Sequence, residues 1–119
     1  MKIWMDDVRP APDGYIRVYD VDSAICEIIR SKNATDFLWK GYIMGCIDRE
    51  SFEKCFNISN IEEISCDNDL GEGLPEGYKL LNWLEATGYN IPIRIHSANP
   101  VVRVRMQSII QRNGWTEVK

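Results

Sequence analysis

The sequence predicts an α/β domain of three layers, built on a mostly parallel sheet of four or five strands. Two observations carry this. Short apolar runs that read as strands (Lys2–Met5, Ile61–Cys66 and Ile91–Ile95) alternate with stretches of helical periodicity. Each run is followed at once by a polar cluster: Asp6-Asp7-Val8-Arg9, Asp67-Asn68-Asp69-Leu70-Gly71 and His96-Ser97-Ala98-Asn99-Pro100. Parallel sheets bind ligands just beyond the carboxyl ends of their strands, so the three clusters are expected to meet on one edge.

The elements follow in order. Ile3–Met5 is the apolar part of the first strand, and Tyr15–Tyr19 alternates like a second. Nine residues separate them, too few for a helical crossover, so they join by an irregular loop or pair in another way. Asp22 or Ser23 can cap a helix running to about Lys32, with Val21, Ile25, Ile28 and Ile29 as its buried stripe. Residues 33–60 carry Phe37, Trp39, Tyr42, Phe52 and Phe56, too apolar for a disordered linker. Asp48–Phe56 reads as a short helix there. The segment either packs its aromatics on the sheet or presents a lid or a surface for a protein partner. After Ile61–Cys66, a loop with Gly71, Gly73 and Pro75 opens a helix from about Glu76 to Thr87, with Leu80, Leu81 and Leu84 inward and Gly88 as its stop. Asn99 and Pro100 read as N-cap and first residue of the next helix. Val102, Met106, Ile109 and Ile110 are its buried stripe, Asn113-Gly114 is its end, and Trp115–Val118 follows as an edge strand.

The 119 residues suit a single domain, 1–119, with 45% hydrophobic and 27% charged residues. No apolar run is long enough to span a membrane. The charged amino terminus lacks a signal-peptide core, which points to the cytoplasm. Cys26, Cys46, Cys55 and Cys66 form no CxxC pair and are expected to be buried, reduced thiols. A net charge of −4 argues against bulk DNA binding. Yet Ile91–Thr116 holds no acid and four arginines (Arg94, Arg103, Arg105 and Arg112), a local field suited to a small anion or an RNA end.

Four carboxylates at two strand ends repel unless they share protons or a cation. Asp6, Asp7 and Asp67 are therefore candidate ligands for Mg²⁺ or Mn²⁺. The alternative is that such acids serve as loop caps. His96 closes a strand beside a helix start, where it suits proton transfer near neutrality, or a structural hydrogen bond. The helix beginning at Asn99 offers free amides and a positive dipole end to an anion. Arg103 lies near that first turn, Arg105 is expected in solvent, and Arg9 either clamps a phosphate or pairs with Asp7.

Taken together, Asp6–Gly14, Asp67–Gly71, Gly77-Tyr78 and His96–Pro100 resemble the cyclic-phosphate processing receiver-like domains, a variant of the flavodoxin-like response-regulator receiver fold. The likeness runs from Lys2 to about Ile110, with residues 33–60 as an insertion. It implies processing of cyclic phosphates, on nucleotides or on 2′,3′-cyclic ends of RNA. It makes Asp6 and Asp7 the acidic pair after the first strand. It puts Asp67 where receivers carry their phospho-accepting aspartate, and Ser97 and His96 after the fourth strand. Residue by residue, the reading assigns His96, Asp67 and Asp7 to catalysis, and Arg9, Ser97, Asn99 and Arg103 to the phosphate. Asp6, Asp7 and Asp67 would hold metal, with Asn68 and Asp69 in support. Two positions depart from the family pattern: Asn68 stands where a histidine is common, and Val102 where a glycine is. No lysine matches the one receivers carry on their fifth strand. A hydrolase (a cyclic phosphodiesterase), a non-catalytic nucleotide- or protein-binding domain, and a phosphorelay receiver are the three functional readings.

Overall fold

The computed structural model describes residues 1–119. Its elements are β1 (Lys2–Met5), β2 (Tyr15–Val18), α1 (Val21–Ile43), α2 (Arg49–Ser59), β3 (Glu63–Cys66), α3 (Tyr78–Thr87), β4 (Ile93–Ile95), α4 (Pro100–Asn113) and β5 (Glu117–Val118). The strands form one sheet in the order β2-β1-β3-β4-β5, and every pairing is parallel. The α/β class and the parallel sheet are as the sequence predicts.

β1 and β2 are parallel neighbours in the register Lys2↔Tyr15, joined by the loop Asp6–Gly14 without a helix. The return path is only the length of a four-residue strand, about 13 Å. Nine extended residues reach about 30 Å, so an irregular loop suffices.

The other connections, β2 to β3, β3 to β4 and β4 to β5, all advance in the same direction across the sheet. Right-handed crossovers in one direction place their helices on one face. Accordingly α3 packs beside both α1 and α4. One core lies beneath them: Ile3, Met5, Ile64, Cys66, Ile93 and Ile95 from the strands, with Val21, Ala24, Ile28, Leu80, Leu81, Leu84, Met106, Ile109 and Ile110 from the helices. Strand side chains alternate between faces. The opposite face therefore carries Lys2, Trp4, Tyr15, Arg17, Glu63, Ser65 and Arg94, and no helix lies on it. The third layer is supplied instead by these side chains and by the Asp6–Gly14 loop, whose Arg9 carbonyl accepts a hydrogen bond from the Trp4 indole.

Several local expectations are corrected. α1 begins two to three residues early, because Asp20 caps it by accepting from the Ser23 amide, and it runs on to Ile43 rather than stopping near Lys32. Ala24 and Ser31 join Val21 and Ile28 in its buried stripe, while Ile29 is 43% exposed. α2, capped by Asp48, folds back along the distal half of α1. Trp39, Tyr42, Phe52 and Phe56 pack on one another at centroid distances of 4.8–6.0 Å rather than on the sheet. This helical arm helps make the molecule 49 Å long against 30 and 26 Å across. The cysteines are all free, but only Cys66 is buried, which pushes its thiol up to about 12. No helix is long and apolar enough to cross a membrane.

Candidate active site

The carboxyl ends of β1, β3 and β4 bring Asp6, Asp67 and His96 together. A ligand atom from each lies within 4.8 Å of the other two. All three follow the parity of the helix-free face: Asp6 is two residues past Trp4, Asp67 two past Ser65, and His96 two past Arg94.

Asp6 is completely buried and fully engaged. Its Oδ1 accepts from the amides of Val8 and Arg9 at 2.8 and 2.9 Å, and its Oδ2 lies 3.0 Å from His96 Nε2. Burial alone would raise its pKa, but the two amides and the imidazole outweigh that and hold the carboxyl below its ordinary range. An ionised carboxylate only accepts, so the proton between them sits on Nε2. Nδ1 is then left to accept from the Ser65 hydroxyl, 2.8 Å away. The imidazole also stacks on Trp4, with centroids 3.9 Å apart and the rings 4° from parallel. Burial pushes the His96 pKa down despite the pull of Asp6, so the ring is neutral at neutral pH. Asp67 is shifted the other way. Burial raises its carboxyl, the negative charge of Asp6 adds to this, and the Asn68 amide opposes it. The two acids are thus displaced in opposite directions, a pattern that separates acid and base roles at functional sites.

The remaining expected residues fall into two groups. Arg9 belongs to the site: its Nη1 donates to the His96 carbonyl at 3.0 Å, which carries the β1 loop across to the end of β4. Asp7 points elsewhere, and its Oδ2 lies 3.5 Å from where a Cβ on Gly71 would be, so His96 completes the acidic cluster in its place. Arg103 donates through Nη1 to the carbonyls of Ile95 and Ser97. Ser97 is buried and accepts from the Asn99 amide. Asn99 caps α4 by accepting from Val101 and Val102, so the first free amides of that helix are already satisfied. Asn68 donates to Glu76 and accepts from the Tyr78 amide, which ties it to the start of α3. Asp69 is exposed and turns back to the Gly71 amide. Arg105 is exposed, with its guanidinium lying over the Tyr78 ring at 4.6 Å.

Three contributors escaped the sequence reading: Trp4 beneath the imidazole, Ser65 on its far nitrogen, and Arg17, whose Nε donates to the Asp6 carbonyl at 3.1 Å. Their signal was period two. Each lies on the face of the strand-end acid or histidine, and Glu63 and Ser65 interrupt an apolar strand where a doubly covered sheet would carry none.

The donor set of Asp6, Asp67 and His96 fits a divalent cation. Two carboxylates suit Mg²⁺ or Mn²⁺, and the imidazole can join a softer metal if Nε2 loses its proton and Nδ1–H turns to Ser65. The family profile described as "Cyclic-phosphate processing Receiver domain" matches residues 1–112. No curated protein and no solved structure matches the chain.

Proposed function

The chain belongs to the cyclic-phosphate processing receiver domain family, and from that premise we propose that it hydrolyses a cyclic phosphate ester at the Asp6–Asp67–His96 cluster. Water adds to phosphorus, one ring P–O bond breaks, and the product is a phosphate monoester with a freed hydroxyl. The water proton is taken up and a proton is returned to the leaving oxygen. The observation that carries this reading is the convergence of two carboxylates and one imidazole at the sheet edge, with ligand atoms within 4.8 Å of one another and Asp6 Oδ2 3.0 Å from His96 Nε2. Asp67, the more basic acid, takes the proton from water. The imidazolium form of His96, stabilised by Asp6, gives a proton to the leaving oxygen and regains one from Asp67, with Ser65 and Trp4 fixing the ring. Arg9, whose Nη1 donates to the His96 carbonyl, offers further N–H groups to the phosphate. A divalent cation held by Asp6 and Asp67, when bound, would neutralise the phosphate and polarise its P–O bonds.

The test is turnover of 2′,3′- and 3′,5′-cyclic nucleotides with and without Mg²⁺ or Mn²⁺. Turnover that disappears in His96→Ala is expected. An inert wild type, or a fully active His96→Ala, rejects the assignment.

The commitment of both polar atoms of Asn68 to α3 favours a second reading. Where the family commonly has a second histidine, this chain has an amide that exchanges no proton, and the domain then binds cyclic phosphates without cleaving them. Calorimetry showing binding without turnover selects it. Phosphorelay signalling is the third reading, and labelling of Asp67 by acetyl phosphate is its test. Lys119, just past β5, pairs with Glu117 with its side chain 80% exposed.

A further inference from the structure

Each donor of the Asp6–Asp67–His96 cluster is aimed by a partner outside it. Asp6 Oδ1 takes the amides of Val8 and Arg9, so Oδ2 is left to face His96 Nε2 at 3.0 Å. Asp67 Oδ1 takes the Asn68 amide, and its Oδ2 has no partner within the chain. His96 is fixed from its far side by the Ser65 hydroxyl on Nδ1 and by the Trp4 indole beneath the ring. Outer hydrogen bonds that orient every ligand are a mark of metal centres. Arg9 and Arg17 leave the carboxylates alone, because their guanidinium groups donate to the backbone carbonyls of His96 and Asp6. The one ion-pair contact of either carboxylate is that of Asp6 with His96.

The imidazole sets this cluster apart from one made of carboxylates alone. Mg²⁺ takes hard oxygen ligands and keeps several waters, so Asp6 and Asp67 suffice for it. Zn²⁺ binds imidazole readily and works with three protein ligands and one open position. Two ligands of a tetrahedral Zn²⁺ stand about 3.3 Å apart, close to the 3.0 Å between Asp6 Oδ2 and His96 Nε2. The obstacle is the proton on Nε2. Ser65 lowers it, because a hydroxyl both donates and accepts. It donates to Nδ1 in the tautomer that faces Asp6, and it can accept from Nδ1–H in the other. One proton leaves Nε2, one is taken up at Nδ1, and the imidazole stays neutral.

We propose that the cluster sorts divalent cations by softness. Mg²⁺ is held by Asp6 and Asp67 with His96 free. Zn²⁺ is held by all three residues, with His96 bound through Nε2 and Ser65 accepting from Nδ1–H. Zn²⁺ is then an inhibitor, because an imidazole bound through Nε2 has no proton there to give to a leaving oxygen. The inhibition rests on the hydrolytic reading, whereas the sorting of cations is measurable without turnover.

His96 is the single histidine of the chain, so its ring nitrogens give unambiguous signals in long-range proton–nitrogen NMR spectra. Reading the imidazole itself also sets aside the exposed Cys26, Cys46 and Cys55, whose thiols attract Zn²⁺ on their own account. The expected result is Nε2–H in metal-free protein and in millimolar Mg²⁺, and a move of the proton to Nδ1 on titration with Zn²⁺. Ser65→Ala should weaken the Zn²⁺ response about tenfold and leave the Mg²⁺ effect on melting temperature unchanged. Turnover supported by Mg²⁺ should fall about a hundredfold once Zn²⁺ saturates the imidazole signal. A signal that Zn²⁺ leaves unchanged, or that Mg²⁺ moves in the same way, overturns the sorting whatever Zn²⁺ does to turnover. Full turnover with Zn²⁺ on Nε2 overturns the inhibition and the proton role of His96 with it. A moved proton with no turnover under any cation supports the sorting and defeats the hydrolysis. A wild-type Zn²⁺ response in Ser65→Ala overturns the part given to Ser65.

Discussion

Ile3 and Met5 point from β1 into the helical layer and are completely buried, while Lys2, Trp4 and Asp6 leave the same strand on the other side and carry charge, stacking and hydrogen bonds. β3 and β4 repeat the division: Ile64 and Cys66 against Glu63 and Ser65, then Ile93 and Ile95 against Arg94 and His96. Alternate residues of the same few strands thus do different work. The covered face gains its stability from burial, which tolerates no gap. The open face is held by pairings whose worth depends on each partner, and there a substitution changes chemistry before it changes folding.

The largest effect is expected on the covered face. Leu81→Ala removes a fully buried side chain from α3 and should cost about 3 kcal/mol in urea denaturation. On the open face, Asp6→Asn should cost about 2 kcal/mol at neutral pH, because it weakens charge-assisted bonds to a buried group, and it should abolish turnover. The acid limb of the stability curve sharpens this. The pKa values of His96 and Asp6 are both lowered by folding, so each contributes stability that is complete above its unfolded value and lost as pH falls. The loss should begin below about pH 6.5 for His96 and below about pH 4 for Asp6. A denaturation series from pH 8 to 3 that is flat until pH 4 would remove the His96 contribution.

Asp67 is expected to behave in the opposite sense. Its raised pKa means that its stabilising contribution is present at low pH and lost as pH rises through the folded value, so its ionised form strains the native state. Asp67→Asn should raise stability by about 1 kcal/mol in metal-free buffer at pH 7. Millimolar Mg²⁺ or Mn²⁺ should raise the wild-type melting temperature, and Asp6→Asn combined with Asp67→Asn should eliminate the rise. No shift with either metal in wild type removes the metal from the proposal. The smallest effect belongs to Lys2→Met, whose partly exposed pair with Glu63 at 3.7 Å should be worth about 0.5 kcal/mol. A larger loss would mean that the open face is held together as tightly as the covered one.

Much of this arrangement was legible in the sequence. Strand runs and the stripes Leu80–Leu84 and Met106–Ile110 reflect local periodicity, and the strand-end rule was enough to bring Asp6, Asp67 and His96 to one edge. What escaped depended on tertiary partners. α1 continues past Lys32 through Asn33 and Thr35, poor helix formers, alongside α2, with Trp39 and Tyr42 against Phe52. Asp7 failed to join the cluster because adjacent residues in extended chain point apart. Asn99 and Arg103 are consumed by the amides and carbonyls of their own turn, a competition that spacing does not reveal.

Gly77 shows a different kind of constraint. Its backbone angles are ordinary, with φ −58°, so any residue could adopt them. The requirement is spatial: an added Cβ would fall 1.9 Å from the Asp67 carbonyl oxygen and 2.9 Å from the Asn68 Cα, while the Gly77 amide bonds to the Asn68 carbonyl. One methyl group there would have to move the start of α3 or the backbone that aims Asp67. A search for reactive groups would pass over this position, since it contributes none. In a mutational scan it should nevertheless lose activity much as the acids do, through displaced coordinates rather than missing chemistry.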